Sequence, residues 1–378
     1  MKIVIAGDYC PHEQIAQMIE KGDFSFFDEV KEIIESADYS IVNLECPIVD
    51  GNILPINKCG PALRTIKRVV DSIKYAGFDC VTLANNHFRD FGDEGCLTTL
   101  DELRKQNVDY VGGGMNLNDA QKILYKEIGG EILAIVNFCE NEFSIATQKN
   151  AGAAPLDLVD NYHQIKDACS NADYVLVVVH GGHEHYSLPS PRMKKLYRYF
   201  IELGADAVVN HHQHCYSGFE YYEGKPIVYG LGNFCFCYKN KYDSIWNEGY
   251  FVEIDFKNEA SKISLYPYVQ CNNKPTISLM VKQQKDDFFK KNEDFNRIIA
   301  DDSLLNICFN QWVESRSRYI MSIFASYHNR FLNAASRRGL IPYPSSKKEM
   351  VEVLNYVECE AHRDITIAVL KDKMNQMQ

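Results

Sequence analysis

The sequence predicts an α/β protein, and three observations carry that reading. Short apolar runs recur at residues 2–6, apolar after its lysine, and at 81–84, 175–179 and 207–209, with a shorter fifth case at 41–42, and they read as buried strands. Between them lie segments whose apolar residues fall three and four apart, as on an amphipathic helix, and the alternation persists over residues 1–214. The runs also end alike: in Gly7-Asp8, Asn43-Leu44-Glu45, Asn85-Asn86-His87, His180-Gly181-Gly182-His183-Glu184-His185 and Asn210-His211-His212-Gln213-His214. Strands that each finish in carboxylate, amide or imidazole point to one shared site at the end of a sheet, of a kind suited to metal ions.

Taken in order, residues 2–6 read as the first strand, with Gly7-Asp8 as the turn after it. Residues 12–19 and 27–36 have helical spacing, and 38–44 form a second strand ending at Glu45. Pro47, Gly51, Pro55, Gly60 and Pro61 make 46–63 a long loop. Lys58, Cys59 and Gly60-Pro61 within it read more readily as a surface excursion than as a substrate contact. Residues 65–75 are helical and stop at Gly77. The strand at 81 is followed by a helix over 94–106 and a strand at 109–111. Gly112-Gly113-Gly114 reads as a tight turn, a weak signal for a phosphate cradle. Residues 131–138 and 173–179 are strands around a helix at 161–169, and a helix over 193–203 follows Pro189 and Pro191 and stops at Gly204. From Phe219 the pattern is β: a hairpin turn at Tyr221-Tyr222-Glu223-Gly224-Lys225, then strands over 226–238, 250–256 and 263–269, of open direction. Past Asn272 the chain is more charged. Residues 286–296 read as a linker or an exposed helix, and 304–332 and 347–374 as amphipathic helices carrying no recognisable chemistry. The expected division is a main domain over 1–272 and a helical extension over 273–378.

A length of 378 residues suits one large domain with additions, or two domains. A hydrophobic content of 46% and a charged content of 24% are those of a folded globular chain. The formal charge of −11 excludes a nucleic-acid binder held by a diffuse basic surface. It leaves anionic substrates open, because a metal site brings its own positive charge. No apolar run reaches the roughly 20 residues of a membrane helix. The apolar stretch at the start is short and runs into a polar turn, unlike a signal peptide. Thirteen scattered cysteines fit neither a disulfide framework nor a zinc ribbon, and a cytoplasmic protein with reduced thiols is expected.

Asp8 and Glu45 each follow a buried strand, where an unpaired carboxylate is costly and a cation would offset the cost. A helix-capping role explains Asp8 equally well. Asn86 offers an amide oxygen to a metal, and His87 an imidazole to a metal or a leaving group; Asn85 reads equally as a turn residue. Asp90 is placed to orient His87, or to cap the next helix. A lone histidine after an apolar strand is more often a core residue than a ligand, but the two glycines after His180 open space beside it. Glu184 is a candidate to hold His180 or a metal-associated water, with His183 and His185 structural or substrate-facing. His212 and His214 form a His-x-His pair. In extended chain both point to one side, and His211 to the other.

These stretches resemble the CapA family of capsule and poly-γ-glutamate synthesis proteins, within the calcineurin-like metallophosphoesterase superfamily. The matching segments are Gly7-Asp8, Asn43-Leu44-Glu45-Cys46-Pro47, Ala84-Asn85-Asn86-His87 with Asp90 and Gly92, His180-Gly181-Gly182 with Glu184 and Tyr186, Pro189-Ser190-Pro191, His211-His212-Gln213-His214, and Lys225-Pro226-Ile227 through Leu231-Gly232-Asn233-Phe234. They occur in family order over the first two thirds of the chain. The resemblance implies a four-layer αββα sandwich with two divalent metal ions at the strand ends. It implies Asp8, Glu45, Asn86, His180, His212 and His214 as ligands and His87 as the acid that protonates the leaving oxygen. In a hydrolytic mechanism Asp90 or Glu184 would support that chemistry from outside the ligand set. Manganese, iron and zinc all suit such ligands. Two departures stand out: Cys10 replaces the histidine of the superfamily's Asp-x-His opening, and Glu45 takes the place of a Gly-Asp carboxylate. The implied activity is phosphate mono- or diester hydrolysis on a phosphorylated small molecule or an anionic polymer, linked to capsule or surface-polymer synthesis. The rival expectations are a non-catalytic accessory that binds metal or polymer, and an amide hydrolase using the same metals.

Overall fold

The computed structural model describes residues 1–238, 240–257, 261–323, 330–338, 340 and 346–376. The first part of the chain runs β1 (Lys2–Tyr9), α1 (Glu13–Lys21), α2 (Lys31–Glu35), β2 (Tyr39–Leu44), α3 (Val69–Ala76), β3 (Cys80–Thr82), α4 (Gly92–Lys105), β4 (Asp109–Val111), β5 (Gly113–Gly114) and α5 (Leu117–Ala120). Next come β6 (Leu124–Ile128), β7 (Glu131–Cys139), β8 (Gly152–Ala153), α6 (Leu158–Asn171), β9 (Tyr174–His180), α7 (Pro191–Glu202) and β10 (Ala207–His211). Then follow β11 (Phe219–Tyr222), β12 (Lys225–Val228), β13 (Asn233–Cys235), β14 (Glu248–Asp255), β15 (Lys262–Gln270) and β16 (Ile277–Leu279). The chain closes with α8 (Lys282–Ala300), α9 (Asp302–Ile323), α10 (Arg330–Arg337), α11 (Lys347–Glu358) and α12 (Glu360–Gln376).

Side-chain alternation along the strands builds the layers. Ile3 and Ile5 of β1, Ile41 of β2 and Cys80 of β3 meet Leu133, Ile135, Leu176, Val178 and Val209 in a core between two sheets. Their neighbours Val4, Ala6, Val42 and Val81 turn outward and pack with helix residues such as Ile15, Ile19, Val70, Ile73 and Leu100. On the far sheet Val136, Val175, Val177 and Val208 pack with Ile165, Ala168 and Phe200 of α6 and α7. The result is the four-layer helix–sheet–sheet–helix sandwich. One sheet has the order β16-β15-β14-β1-β2-β3-β4 with β13 also on β1, and the other β11-β12-β10-β9-β7-β6. β1 to β4 are mutually parallel, as are β7, β9, β10 and β12; β14 to β16 run antiparallel to their neighbours.

Several elements differ from the sequence reading. β1 continues through Gly7-Asp8 to Tyr9, so Asp8 stands on a strand and not in a turn. The strand survives there because it pairs β13 across a bulge, with Gly7 so close that a Cβ would lie 1.9 Å from the Gly232 carbonyl oxygen. The helix expected from residue 27 begins only at Lys31, after a 3-10 turn that buries Phe26 and Phe27. The helix expected from residue 65 begins at Val69, because Thr65 pairs its backbone with Pro47 and Val49. Gly113-Gly114 pairs with β8 instead of forming a free turn. The polar segment 286–296 lies within the helix α8. The single helix expected over 347–374 breaks at Cys359 into α11 and α12. Within the helix expected over 304–332, residues 324–329 lie outside the described residues. Among the described residues no helix is long and apolar enough to cross a membrane, and all the cysteines are free.

Gly7→Ala should lower stability by about 1–3 kcal/mol, the usual cost of overpacking a tight interior. A reduced urea midpoint with an unchanged denaturant slope would register it.

Candidate metal centre

Strand register assembles the site. Parallel pairing sets Asp8 beside Asn43 of β2 on one flank and Asn233 of β13 on the other. His180 ends β9 opposite His211 of β10. The carboxyl ends of β1, β2 and β3 in one sheet thus meet those of β9 and β10 in the other, the edge where α/β sheets place ligands.

Two overlapping groups of donor atoms result: Glu45, His180 and His212, and Asp8, Glu45 and His214, each spanning no more than 4.8 Å between atoms. Glu45 belongs to both. His180 Nε2 lies 3.1 Å from Asn86 Oδ1, 3.1 Å from His212 Nδ1 and 3.6 Å from Glu45 Oε1. His214 reaches Asp8 Oδ2 at 3.6 Å through Nδ1 and Glu45 Oε1 at 3.8 Å through Nε2. All six side chains are buried. Among the described residues, neither carboxylate oxygen of Glu45 accepts a hydrogen bond. Burial, and then the adjacent Asp8, push its carboxyl well above the ordinary range. Burial and the surrounding imidazoles push His180 well below its ordinary value, the direction that favours a ligating imidazole. An interior carboxylate without partners is costly, and a cation among these oxygens and nitrogens would satisfy it. The donor set fits divalent ions.

The two C-terminal imidazoles reach the cluster by a different route from the one expected. β10 stops at His211, and His212 and His214 take left-handed conformations with φ of 93° and 54°. Strand alternation therefore does not align them; a strained turn does, at about 1–3 kcal/mol per residue. His211 does point away, with Nε2 3.0 Å from the Ala6 carbonyl oxygen.

His87 stands beside the cluster. Its Nδ1 lies 2.7 Å from Asp90 Oδ2 and 3.2 Å from Lys58 Nζ, and its Nε2 has no hydrogen-bond partner among the described residues. Burial and then Lys58 push its pKa down against the pull of Asp90. The loop over 46–63 is thus more than a surface excursion. It turns Lys58 inward, with a side chain 5% exposed that pairs with Asp90 and lies 3.5 Å from the Asn86 carbonyl oxygen. Asp90 caps no helix; it also accepts from the Leu63 amide at 2.7 Å. Asn43, barely noticed in the sequence, is a hub. Its amide nitrogen donates to Asp8 Oδ1 at 2.8 Å and lies 3.3 Å from His180 Nδ1, while its oxygen accepts from Asn85 at 3.1 Å. The signal for it was register: Asn43 faces Asp8 across the β1–β2 pair.

Glu184 is exposed at the rim. The surrounding walls push its carboxyl up, but His214, His212 and further imidazoles outweigh them and bring it to about 2. No hydrogen bond joins it to His180 among the described residues. His183 is buried against Phe309 and Trp312 of α9, its Nε2 3.8 Å from Asp364. The C-terminal helices, expected to carry no chemistry, are tied to this rim. Glu140, directly after β7, pairs with Arg192 at 2.5 Å, and its other oxygen accepts the Ala361 amide at the start of α12 at 3.1 Å. Its own amide donates to the His180 carbonyl at 3.1 Å. Asn141 binds both oxygens of Glu360 at 2.7 and 2.8 Å. Trp312 and Arg316 of α9, Asn355 of α11 and His362 of α12 line a cavity against Cys59, Glu184 and His185.

The fold and site are thus a four-layer α/β sandwich with carboxylates, an amide and imidazoles gathered at the strand ends. Residues 2–238 match the family described as bacterial capsule synthesis protein PGA_cap, and the chain belongs to it. It is 38% identical over 177 residues to the PGA biosynthesis protein CapA of Bacillus subtilis (strain 168), covering 46% of this chain and 47% of that one. It is 35% identical over 176 residues to the capsule biosynthesis protein CapA of Bacillus anthracis, covering 45% of this chain and 43% of that one. The chain thus spans less than half the length of these relatives. A putative 5′-nucleotidase from Staphylococcus aureus superimposes with a TM-score of 0.42 and 13% identity, covering 78% of this chain and 58% of that one.

Glu45→Gln gives a direct check. Its metal-free melting temperature should match or exceed that of the unsubstituted chain. Mn²⁺ at a hundredfold excess over its Kd should stabilise only the unsubstituted chain, by about 2.7 kcal/mol.

Proposed function

We propose that this chain is a metal-dependent phosphoesterase acting in the synthesis of a bacterial capsule or surface polymer. The observation that carries the reading is the Glu45 carboxylate: buried, without a single hydrogen bond, and faced by His180, His214 and Asp8. In this reading Asp8, Glu45, Asn86, His180, His212 and His214 hold two divalent ions, manganese, iron or zinc. Ions held there supply Lewis acidity toward a phosphoryl oxygen and lower the pKa of water to about 7. The chain's own part is positional. Asp90, itself paired with Lys58, accepts from the His87 Nδ1–H and fixes the ring, so that in its protonated form the Nε2–H is the donor to the leaving oxygen. Glu184 waits at the rim as an acceptor for water approaching the phosphorus. The substrate is a phosphate mono- or diester on a small molecule or an anionic polymer. The formal charge of −11 speaks against nucleic acid.

One observation favours a second reading. Cys10 stands where the superfamily carries a histidine ligand, and its thiol is 1% exposed beside Cys46. That leaves the Asp8 group poorer in nitrogen donors, which suits an accessory that binds metal without turnover.

Purified protein supplied with Mn²⁺ should hydrolyse aryl phosphate mono- or diesters and lose the activity to a chelator. His87→Ala should lower kcat about 10²–10⁴-fold with metal content unchanged. Bound metal with no turnover of either ester class would overturn the enzyme in favour of the accessory.

A further inference from the structure

The cavity between the rim and the C-terminal helices measures about 330 Å³, enough for one small group. It lies beside the candidate metal centre, whose ligands do not themselves line it. His185 lines it, with a ring 6.2 Å from that of His214, and Glu184 lines it next to His185. The family match ends at residue 238, so the helical wall of the cavity lies outside the matched stretch.

Three features of that wall ask for a ligand. The Arg316 guanidinium lies 5.6 Å from the Trp312 ring centroid, held over its face. Among the described residues no carboxylate comes within ion-pair distance of it. Asn355 is 6% exposed, yet its Oδ1 accepts no hydrogen bond. His362 Nδ1 is likewise buried without a partner, its ring stacked on Tyr356 at 4.7 Å. A buried acceptor left unpaired is costly, and a donor on a ligand recovers the loss.

We propose that this cavity is a subsite for a carboxylate on the leaving group of the substrate, with Arg316 as its counter-ion and Asn355 accepting from a neighbouring N–H or O–H. The proposal rests on the phosphoesterase reading. The planar fork of arginine matches a carboxylate. A singly charged group suits the cavity better than a second phosphate, because Glu184 and Glu352 also line it and repel a dianion more strongly.

The test compares phenyl phosphate with 4-carboxyphenyl phosphate in the full chain loaded with Mn²⁺. The carboxylated ester should show a KM about tenfold lower, one charged hydrogen bond's worth. In Arg316→Met the ratio of the two KM values should collapse toward one, whereas general damage to the fold moves both values and leaves the ratio. Equal KM values in the unsubstituted chain, or a preference that survives Arg316→Met, would overturn the subsite. A second arm needs no turnover: saturation-transfer NMR with 4-hydroxybenzoate and 4-hydroxybenzamide. Binding of the carboxylate alone, lost in Arg316→Met, upholds the subsite even if no ester is cleaved, and the failure then belongs to the phosphoesterase reading. Ester hydrolysis without carboxylate preference or carboxylate binding leaves the enzyme and removes the subsite.

Discussion

The structure turns on one carboxylate that the protein itself does not satisfy. Glu45 is fully buried, its oxygens have no donor, and three imidazoles and Asp8 crowd the same space. Folding a chain around such a group is unfavourable unless something else is present to meet it. Everything nearby serves to hold that arrangement. The Asn43 amide fixes Asp8, the Asn85 amide fixes Asn43, and the β1–β13 pairing closes the flank through a glycine packed against a carbonyl oxygen.

The architecture and the donor set were legible in the sequence because both follow from local pattern. An apolar run followed by a polar residue states where a strand ends, and five such ends named Asp8, Glu45, Asn86, His180 and the imidazoles after β10. Asn43 was less visible, since its importance depends on which strand lies alongside and in what register. Lys58 was misread for a related reason. Nothing within a proline- and glycine-rich loop says which way a lysine turns, and its inward direction is decided by Asp90, 32 residues on. The His212–His214 pair reached the right place by an unexpected path, because left-handed histidines leave no trace in a hydropathy pattern.

The C-terminal helices show the same limit on a larger scale. Their amphipathic spacing was evident, but what they cover is fixed by polar contacts far away in sequence: Glu140 and Asn141 with residues 360 and 361, and Lys194 of α7 with Asp302 of α9 at 2.6 Å. Such contacts turn helices that look like an appendage into a wall beside the site.

The position of Glu140 links these two halves of the molecule. Its side chain grips the first turn of α12, and its backbone amide grips the carbonyl of His180. One residue therefore bridges the distal helix and the imidazole at the heart of the donor cluster. The path between them runs through the Glu140 side chain, braced at its other oxygen by Arg192, and then one peptide unit. A helix at the far end of the sequence therefore has a short hydrogen-bonded route to the backbone that carries a central imidazole.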